Sequence, residues 1–382
     1  MKEAKTSIEK MNIPLMGLIG GAQHSLNIYR IQGSSPGPHV YLQSSVHGAE
    51  VQGNAVIFRL MEYLLESNFK GSLTFVPHAN PMGANQKAGT YTQGRFSSTT
   101  GENWNRNYTD IANDPLFKPE IFFKNLKPED REKPKALLFK QYLLQTISNI
   151  IQRDSQRGMP IEKRLGLTLQ KLSASADIVL DLHTGPIATR YLYVAEYAQK
   201  KAQDFPFPFK IIIPHEFAGA MDEATFMPWL AAAKEMGFQD NEDIPFESYT
   251  VELGSEEKID LKEAKFDATR ILALLSKRGL IAADAIPPLP QREEFSAPLK
   301  DYKSYYKQGP GLVEYLKKPG DAVKKGDILY QVLDFSKIEA SAPLENCLRS
   351  IKAQEDAIVI NHNPSATVLE GTMVYQLLAQ ET

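Results

Sequence analysis

The sequence has 382 residues, more than one small domain needs and enough for two or three. Apolar residues make up 42% and charged residues 23%, with a net charge of −3, so a buried core is expected and no basic excess favours nucleic acid or a membrane surface. No run reaches the roughly 18 apolar residues of a membrane span, and the polar first residues do not resemble a signal peptide. Since Cys347 is the single cysteine, we expect a cytoplasmic protein without an internal disulfide.

The first 108 residues indicate a βαβ unit followed by a long loop. Residues 25–32 and 39–46 are predicted strands, and apolar residues then recur at helical spacing over 51–65. A third strand is predicted at 71–81, where it ends in Asn-Pro. Because parallel strands need such a crossover, this order predicts a parallel or mixed sheet. Residues 89–108 are rich in Gly, Ser, Thr and Asn and are predicted to form a long loop.

Helices and strands continue to alternate up to residue 286. Amphipathic helices are predicted at 135–152, 160–173 and 260–279, and strands at 176–186, 190–196, 209–214 and 247–254. We therefore predict one α/β domain over residues 1–286.

The composition changes at residues 285–298, where prolines and a charge cluster indicate a linker. Residues 311–335 alternate apolar residues with Pro-Gly-Asp and Lys-Gly-Asp turns, and no long helical pattern follows. This pattern predicts a small all-β domain over residues 294–382. The segment resembles biotinyl/lipoyl-like barrel-sandwich domains.

Polar residues stand where three predicted strands end: His47 with Glu50, His183, and Glu252. In open α/β sheets ligands bind at the carboxyl ends of the strands. Two histidines and one carboxylate are a typical ligand set of catalytic zinc, which leaves a position free for water. Glu252 would then be the general base. We expect Gly48 and Ala49 to be small because bulk there would crowd the metal.

Each of these residues also has a simpler interpretation. Glu50 is suited to stabilise the first turn of a helix, and His183 to form an ordinary hydrogen bond at a strand end. The combination favours a metal site, because Asp181 and His183 share one face of a strand and Asp181 can orient the ligand. The choice between zinc and another divalent cation stays open.

The predicted loop adds groups that can bind an anion. Arg95 and the pair Asn105-Arg106 are suited to hold a carboxylate through bidentate or charge-assisted hydrogen bonds. Loop arginines are more often solvated surface charges, so this assignment depends on the metal site.

Five motifs follow one another along the chain: His47 to Glu50, Asn80-Pro81, Asn105-Arg106, the segment 181–185 (DLHTG) and Glu252. In this order they resemble the succinylglutamate desuccinylase/aspartoacylase family of the zinc carboxypeptidase clan. The resemblance covers roughly residues 15 to 280. It implies a mixed, eight-stranded-type sheet flanked by helices, as in zinc carboxypeptidases.

The resemblance also implies the role of each residue. One Zn²⁺ per chain would be held by His47, Glu50 and His183, with Glu252 as the base. Asn105 and Arg106 would bind the substrate carboxylate. An arginine would polarise the scissile carbonyl. Arg95 is the candidate, but the segment before Asn105 is longer than in aspartoacylases, so Lys87 is an alternative. Residues 109–165 resemble an insertion that is placed to cover the site.

We therefore expect a zinc-dependent hydrolase that cleaves the amide of an N-acyl amino acid or a related small acylated amine, with a small anionic substrate. Two alternatives use the same residues: a metallocarboxypeptidase acting on small peptides, and a non-catalytic zinc- or partner-binding module. The sequence names neither the acyl group nor the amine. It also leaves open whether the chain forms a homo-oligomer.

Overall fold

A large mixed sheet flanked by helices forms the centre of the molecule. The computed structural model describes residues 7–289 and 294–380. The elements before residue 290 are, in chain order, β1 (Ile8–Gly17), β2 (Gln23–Gln32), β3 (Ser35–Ser44), α1 (Gln52–Glu66), β4 (Lys70–Val76), α2 (Pro81–Asn85), β5 (Lys87–Ala88), β6 (Tyr91–Thr92), α3 (Pro119–Lys124), α4 (Lys135–Asp154), α5 (Ile161–Ser173), β7 (Ile178–Gly185), β8 (Ile187–Ala188), β9 (Arg190–Ala195), β10 (Phe209–Ile213), α6 (Met221–Met236), β11 (Glu247–Ser255) and α7 (Leu261–Lys277).

The C-terminal elements are short strands. They are β12 (Phe295–Pro298), β13 (Tyr302–Tyr306), β14 (Leu312–Tyr315), β15 (Ala322–Val323), β16 (Ile328–Leu333), β17 (Leu348–Lys352), β18 (Ala357–His362) and β19 (Met373–Ala379). The strands β13, β19, β18 and β15 form one small sheet, which β8 joins through β18, and β14, β16 and β17 form another.

The large sheet has nine strands in the order β1-β2-β4-β3-β7-β11-β9-β10-β12. The neighbours β4, β3, β7 and β11 run parallel to one another, and β9 and β10 are also parallel. The pairs β1–β2, β2–β4 and β11–β9 are antiparallel. The predicted mixed α/β fold is therefore confirmed. The ninth strand, β12, lies at the end of the predicted linker 285–298 and pairs in parallel with β10. Because β3, β7 and β11 are adjacent and parallel, their carboxyl ends meet at one edge.

The helices cover both faces of this sheet. Gly53 in α1 lies so close to Leu182 that an added Cβ would be 2.7 Å from the Leu182 Cβ. Thr225 in α6 instead hydrogen-bonds Ser248 across 2.8 Å. Ser248 points to the same face as Asp181 and His183, opposite to Leu182, because side chains alternate along strands and Thr250 is the cross-strand partner of Asp181. Thus α1 and α6 cover opposite faces.

The C-terminal strands pack directly on the large sheet. The strands β8 and β12 cross between the two parts of the chain, since β8 pairs with β18 and β12 with β10. A cluster of buried apolar side chains fills the contact: Tyr191, Ile211, Ala297, Ile358, Ile360 and Leu378. Within residues 7–289 and 294–380, no helix combines the length and apolar character needed to cross a membrane.

Candidate active site

The first predicted site residues lie on a tight turn between β3 and α1. Ser45, directly after β3, has a positive φ of 59°, and its hydroxyl donates to the backbone oxygen of Glu50 across 3.0 Å. The backbone N–H of Glu50 donates to the His47 oxygen across 3.1 Å. The amide of Asn80, from the Asn-Pro motif, donates to the Val46 oxygen across 2.8 Å. These bonds hold the side chains of His47 and Glu50 at the end of β3.

A close backbone contact requires a small residue at Gly48. A Cβ added at Gly48 would lie 2.1 Å from the backbone oxygen of Gly83, and one added at Gly94 would lie 2.0 Å from that same oxygen. The Gly48 N–H also donates to the Gly94 oxygen across 3.0 Å. Three glycines therefore allow three backbone segments to touch. This contact places Arg95, the residue after Gly94, beside the turn that carries His47.

The three predicted metal ligands lie together. The Nδ1 atoms of His47 and His183 lie 2.8 Å and 2.7 Å from the two carboxylate oxygens of Glu50. One ligand atom from each of the three residues falls within 4.8 Å of the others. All three side chains are buried, with Glu50 only 1% exposed. The structure thus brings together residues from two strand ends that are 136 positions apart in the chain.

The hydrogen bonds of the two histidines suit a metal. His183 Nε2 lies 2.8 Å from an Asp181 oxygen, and His47 Nε2 lies 2.8 Å from the Asn103 side-chain oxygen. A neutral histidine that donates from Nε2 keeps a lone pair on Nδ1. Both lone pairs then face the Glu50 carboxylate, so three acceptors converge. This donor set fits a divalent cation, and Asp181 orients its ligand as second-layer carboxylates commonly do.

A chain of buried side-chain hydrogen bonds holds Asp181 in place. Gln43 Nε2 donates to Asp181 Oδ1 and to the Tyr108 hydroxyl, both across 2.9 Å. The Tyr41 hydroxyl donates to the Gln43 oxygen across 3.0 Å. Gln43 and Asp181 are both fully buried. The chain therefore fixes the carboxylate that holds His183, and the sequence interpretation did not find Gln43, Tyr41 or Tyr108.

Glu252 lies beside the ligands but is not part of their cluster. It is the cross-strand partner of His183 on the neighbouring parallel strand β11, so both side chains point to the same face. Its Oε2 atom is buried and has no hydrogen-bond partner among the described residues. Burial, reinforced by the negative charge of Glu50, raises the pKa of Glu252 to about 8. A raised pKa is what a carboxyl group that exchanges protons near neutral pH requires.

The predicted anion-binding residues reach the same place. Arg95 donates to Glu50 across 3.1 Å, and Arg95 Nη1 lies 3.4 Å from His47 Nδ1. The amide nitrogen of the buried Asn105 lies 3.4 Å from His183 Nε2, while Arg106 is exposed and donates to the Asn105 backbone oxygen across 2.6 Å. The alternative candidate Lys87 is exposed and hydrogen-bonds Thr92. Arg95, and not Lys87, lines the cavity at the cluster.

These residues line a cavity of about 570 Å³. The cavity also contains residues that the sequence interpretation missed: Tyr191, Tyr193, Asp222, Glu223, Tyr302, Asn361 and Gln376. Burial, with the negative charge of Glu223, raises the pKa of Asp222 to about 7. The expectation that residues 109–165 cover the site is wrong, because none of them lines this cavity. Its outer wall instead comes from C-terminal strands.

The chain matches a family model. Residues 36–123 and 144–278 match the succinylglutamate desuccinylase/aspartoacylase catalytic domain. Residues 124–143, within the suspected insertion, lie outside the match. No match was found among curated protein sequences.

Solved structures support the same relationship over the whole chain. A succinylglutamate desuccinylase/aspartoacylase protein from Shewanella frigidimarina NCIMB 400 is 37% identical, with 98% of each chain covered and a TM-score of 0.88. A family protein from Shewanella amazonensis SB2B is 38% identical over 97% of this chain and 98% of that one, with a TM-score of 0.86. The ectoine utilization protein EutE (DoeB) from Ruegeria pomeroyi shares the fold at 16% identity and a TM-score of 0.65, with 99% and 97% of the chains covered. The protein therefore belongs to the succinylglutamate desuccinylase/aspartoacylase family of hydrolases.

Proposed function

We propose that this protein is a zinc-dependent amidohydrolase that removes the acyl group from an N-acyl amino acid or a related small acylated amine. The observation that carries the proposal is the convergence of His47, Glu50 and His183, with Glu252 beside them in the same cavity. Family membership supports hydrolysis of the deacylase type. We further propose a cytoplasmic location, since the single cysteine, Cys347, is a buried free thiol.

Each residue has a role in the proposed reaction. His47, Glu50 and His183 would hold one Zn²⁺ per chain, which supplies Lewis-acid activation of a water and of the scissile carbonyl. Glu252 would accept the proton of the attacking water and later donate it to the departing amine. Arg95 would stabilise the negative charge that develops on the carbonyl oxygen.

Asn105 and Arg106 would bind the substrate carboxylate. Arg106 is suited to this role because its guanidinium is exposed and forms no ion pair with the described residues. The C-terminal strands close one side of the cavity, which favours a small anionic substrate over a long peptide.

The test combines metal analysis with a substrate panel. We expect about one zinc per chain by elemental analysis, and much less in Glu50→Ala, because that variant loses the central ligand. The metal-loaded protein should hydrolyse acetyl- and other acyl-amino acids faster than short peptides with a free C-terminus. Turnover of the peptides alone would instead assign a metallocarboxypeptidase. Absence of bound metal and of all turnover would leave a binding module.

A further inference from the structure

One wall of the cavity is built from uncharged polar side chains. We call it the tyrosine–amide wall, and its members are Tyr191 and Tyr193 from β9, Tyr302 from β13, Asn361 from β18 and Gln376 from β19. Tyr191 is the cross-strand partner of Glu252, so Tyr191 and Tyr193 lie on the same face of the sheet as Glu252. The wall thus borders the site where the scissile bond must lie, and the C-terminal strands supply more than half of it.

The side chains of the wall hold one another in place. Asn361 Nδ2 donates to the Tyr302 hydroxyl across 2.7 Å and to Gln376 Oε1 across 3.0 Å, and the same Gln376 oxygen accepts from Tyr302 across 3.0 Å. Gln376 Nε2 donates to Ser304 across 3.2 Å, which fixes the orientation of its amide. The rings of Tyr191 and Tyr193 are in edge contact, with centroids 5.5 Å apart. The wall is therefore preorganised for a particular kind of group.

The positive charge in the cavity suffices for one carboxylate beyond the metal ligands. Apart from the two histidines, the cationic side chains among the described lining residues are Arg95 and Arg106. Arg95 is paired with the buried carboxylate of Glu50. Arg106 is thus the guanidinium available to a substrate. Glu252 and two further acidic residues, Asp222 and Glu223, also line the cavity and supply no cation to a second carboxylate.

The wall itself offers a second carboxylate no compensating charge. Burial, with the negative charge of Glu252, raises the pKa of Tyr191 and of Tyr193, so both hydroxyls stay neutral. The Asn361 Oδ1 atom is buried, has no hydrogen-bond partner among the described residues, and can act only as an acceptor. A carboxylate buried beside the wall would have no neighbouring cation, and burying an unpaired charge is strongly unfavourable. An amide, a hydroxyl or an apolar group carries no charge and avoids this cost.

We infer that the protein selects N-acyl amino acids with a single carboxylate, and that the tyrosine–amide wall accepts an uncharged side chain or acyl group while rejecting a second carboxylate. This inference rests on the proposed function and specifies its substrate class. Succinylglutamate, which gives part of the family its name, carries three carboxylates and should be a poor substrate.

The test uses substrate pairs of equal shape and different charge. N-acetylglutamine and N-acetylglutamate vary the amine side, and N-succinamoylglutamine and N-succinylglutamine vary the acyl side. In each pair we expect kcat/KM of the metal-loaded protein to be at least about tenfold higher for the member with one carboxylate, since the other member must bury a second, unpaired carboxylate.

A positive charge placed in the wall should weaken this preference. Gln376→Lys adds an ammonium group near the bound side chain and should lower the preference for N-acetylglutamine by about tenfold or more. Gln376→Met is the matched control, because it removes the same hydrogen bonds without adding charge and should keep the preference. Circular dichroism and thermal unfolding check that both variants fold, and the wild-type panel tests the inference independently of them.

The outcomes separate the inference from the proposed function. Equal or faster hydrolysis of N-acetylglutamate and N-succinylglutamine would overturn the inference and leave the deacylase function in place. Hydrolysis of none of these four compounds and of none of the wider acyl-amino acid panel would overturn the function. Calorimetric binding of N-acetylglutamine and N-acetylglutamate would then decide the inference, with equal affinity counting against it.

Discussion

The two sides of the cavity differ in charge and in how the chain builds them. The metal-facing side consists of His47, Glu50 and His183, which Asp181 supports from beneath the cavity surface. These residues come from the ends of two adjacent parallel strands of the large sheet. The tyrosine–amide wall opposite is uncharged, and strands from the middle and from the C-terminal part of the chain assemble it. Glu252 lies between the two sides, as the cross-strand partner of His183 and of Tyr191.

The difference assigns separate tasks to the two sides. The metal-facing side is close to the sheet centre, where hydrogen-bonded strand neighbours fix positions, and it is suited to hold a cation and orient the attacking water. The wall depends on the docking of the C-terminal strands and is suited to recognise the rest of the substrate. Substitutions on the first side should therefore change metal binding or kcat, and substitutions on the second should change substrate preference.

The largest effect is expected where the two sides meet. Glu252→Gln should lower kcat by about 10²–10⁴-fold, the usual contribution of a general base, and should leave the metal content unchanged because Glu252 is outside the ligand cluster. The checks are steady-state kinetics and elemental analysis of the same preparation.

The control for this variant is Glu256→Gln. Glu256 follows β11 closely and its carboxyl also has a pKa raised by burial, but it does not line the cavity. This variant should retain most of its activity. Full activity in Glu252→Gln would remove the assignment of Glu252 as the base.

The metal-facing side could be predicted from the sequence because its residues lie next to recognisable strand ends. His47, His183 and Glu252 each follow or end an apolar run, and parallel strands bring such ends together. The reason for the small residue at Gly48 was not predictable. It depends on contact with Gly83 and Gly94, which no local pattern encodes.

The wall was not predictable, for a related physical reason. Tyr191 and Tyr193 lie in the predicted strand β9. Its place beside β11 was not predictable, because the order of strands in the sheet differs from their order in the chain. Tyr302, Asn361 and Gln376 enter the cavity only because the C-terminal strands dock on the sheet. The predicted domains, residues 1–286 and 294–382, separated these residues from the site in the interpretation of the sequence. Strands β8 and β12 pair across the two parts, which no local pattern indicates.

The helix α6, which carries Asp222, was also missed. Its buried residues are spread around the helix and include Met221, Phe226 and Trp229, so the clear apolar stripe of a surface helix is absent. Pro228 inside the helix further weakens the local signal. Glu223 at the start and Gly237 at the end were the usable signals, because they stabilise the first turn and terminate the helix.

A smaller effect, on metal affinity, is expected at Asp181, which hydrogen-bonds the ligand His183. Asp181→Asn removes the charge that orients His183 and should weaken metal affinity by about 10–100-fold, the usual range for such supporting carboxylates. Competition with a chelator measures this affinity. Tyr108→Phe, which removes the far end of the hydrogen-bond chain through Gln43, should have a smaller effect. Unchanged affinity in Asp181→Asn would show that Asp181 does not support the metal site.

The smallest expected effect concerns stability and comes from Asp222, a buried carboxyl group at the edge of the cavity. Burial, with the negative charge of Glu223, raises its pKa from an ordinary 3.8 to about 7 in the folded protein. The folded state therefore binds an extra proton between about pH 4 and pH 7, so the wild type loses stability as the pH rises through this window. Asp222→Asn keeps the shape of the neutral form and removes the titration. Its melting temperature without metal should match the wild type near pH 4 and exceed it increasingly up to about pH 7. The control Asp284→Asn, at an exposed position, should follow the wild-type profile. A constant difference in melting temperature between Asp222→Asn and the wild type across this pH range would contradict the raised pKa of Asp222.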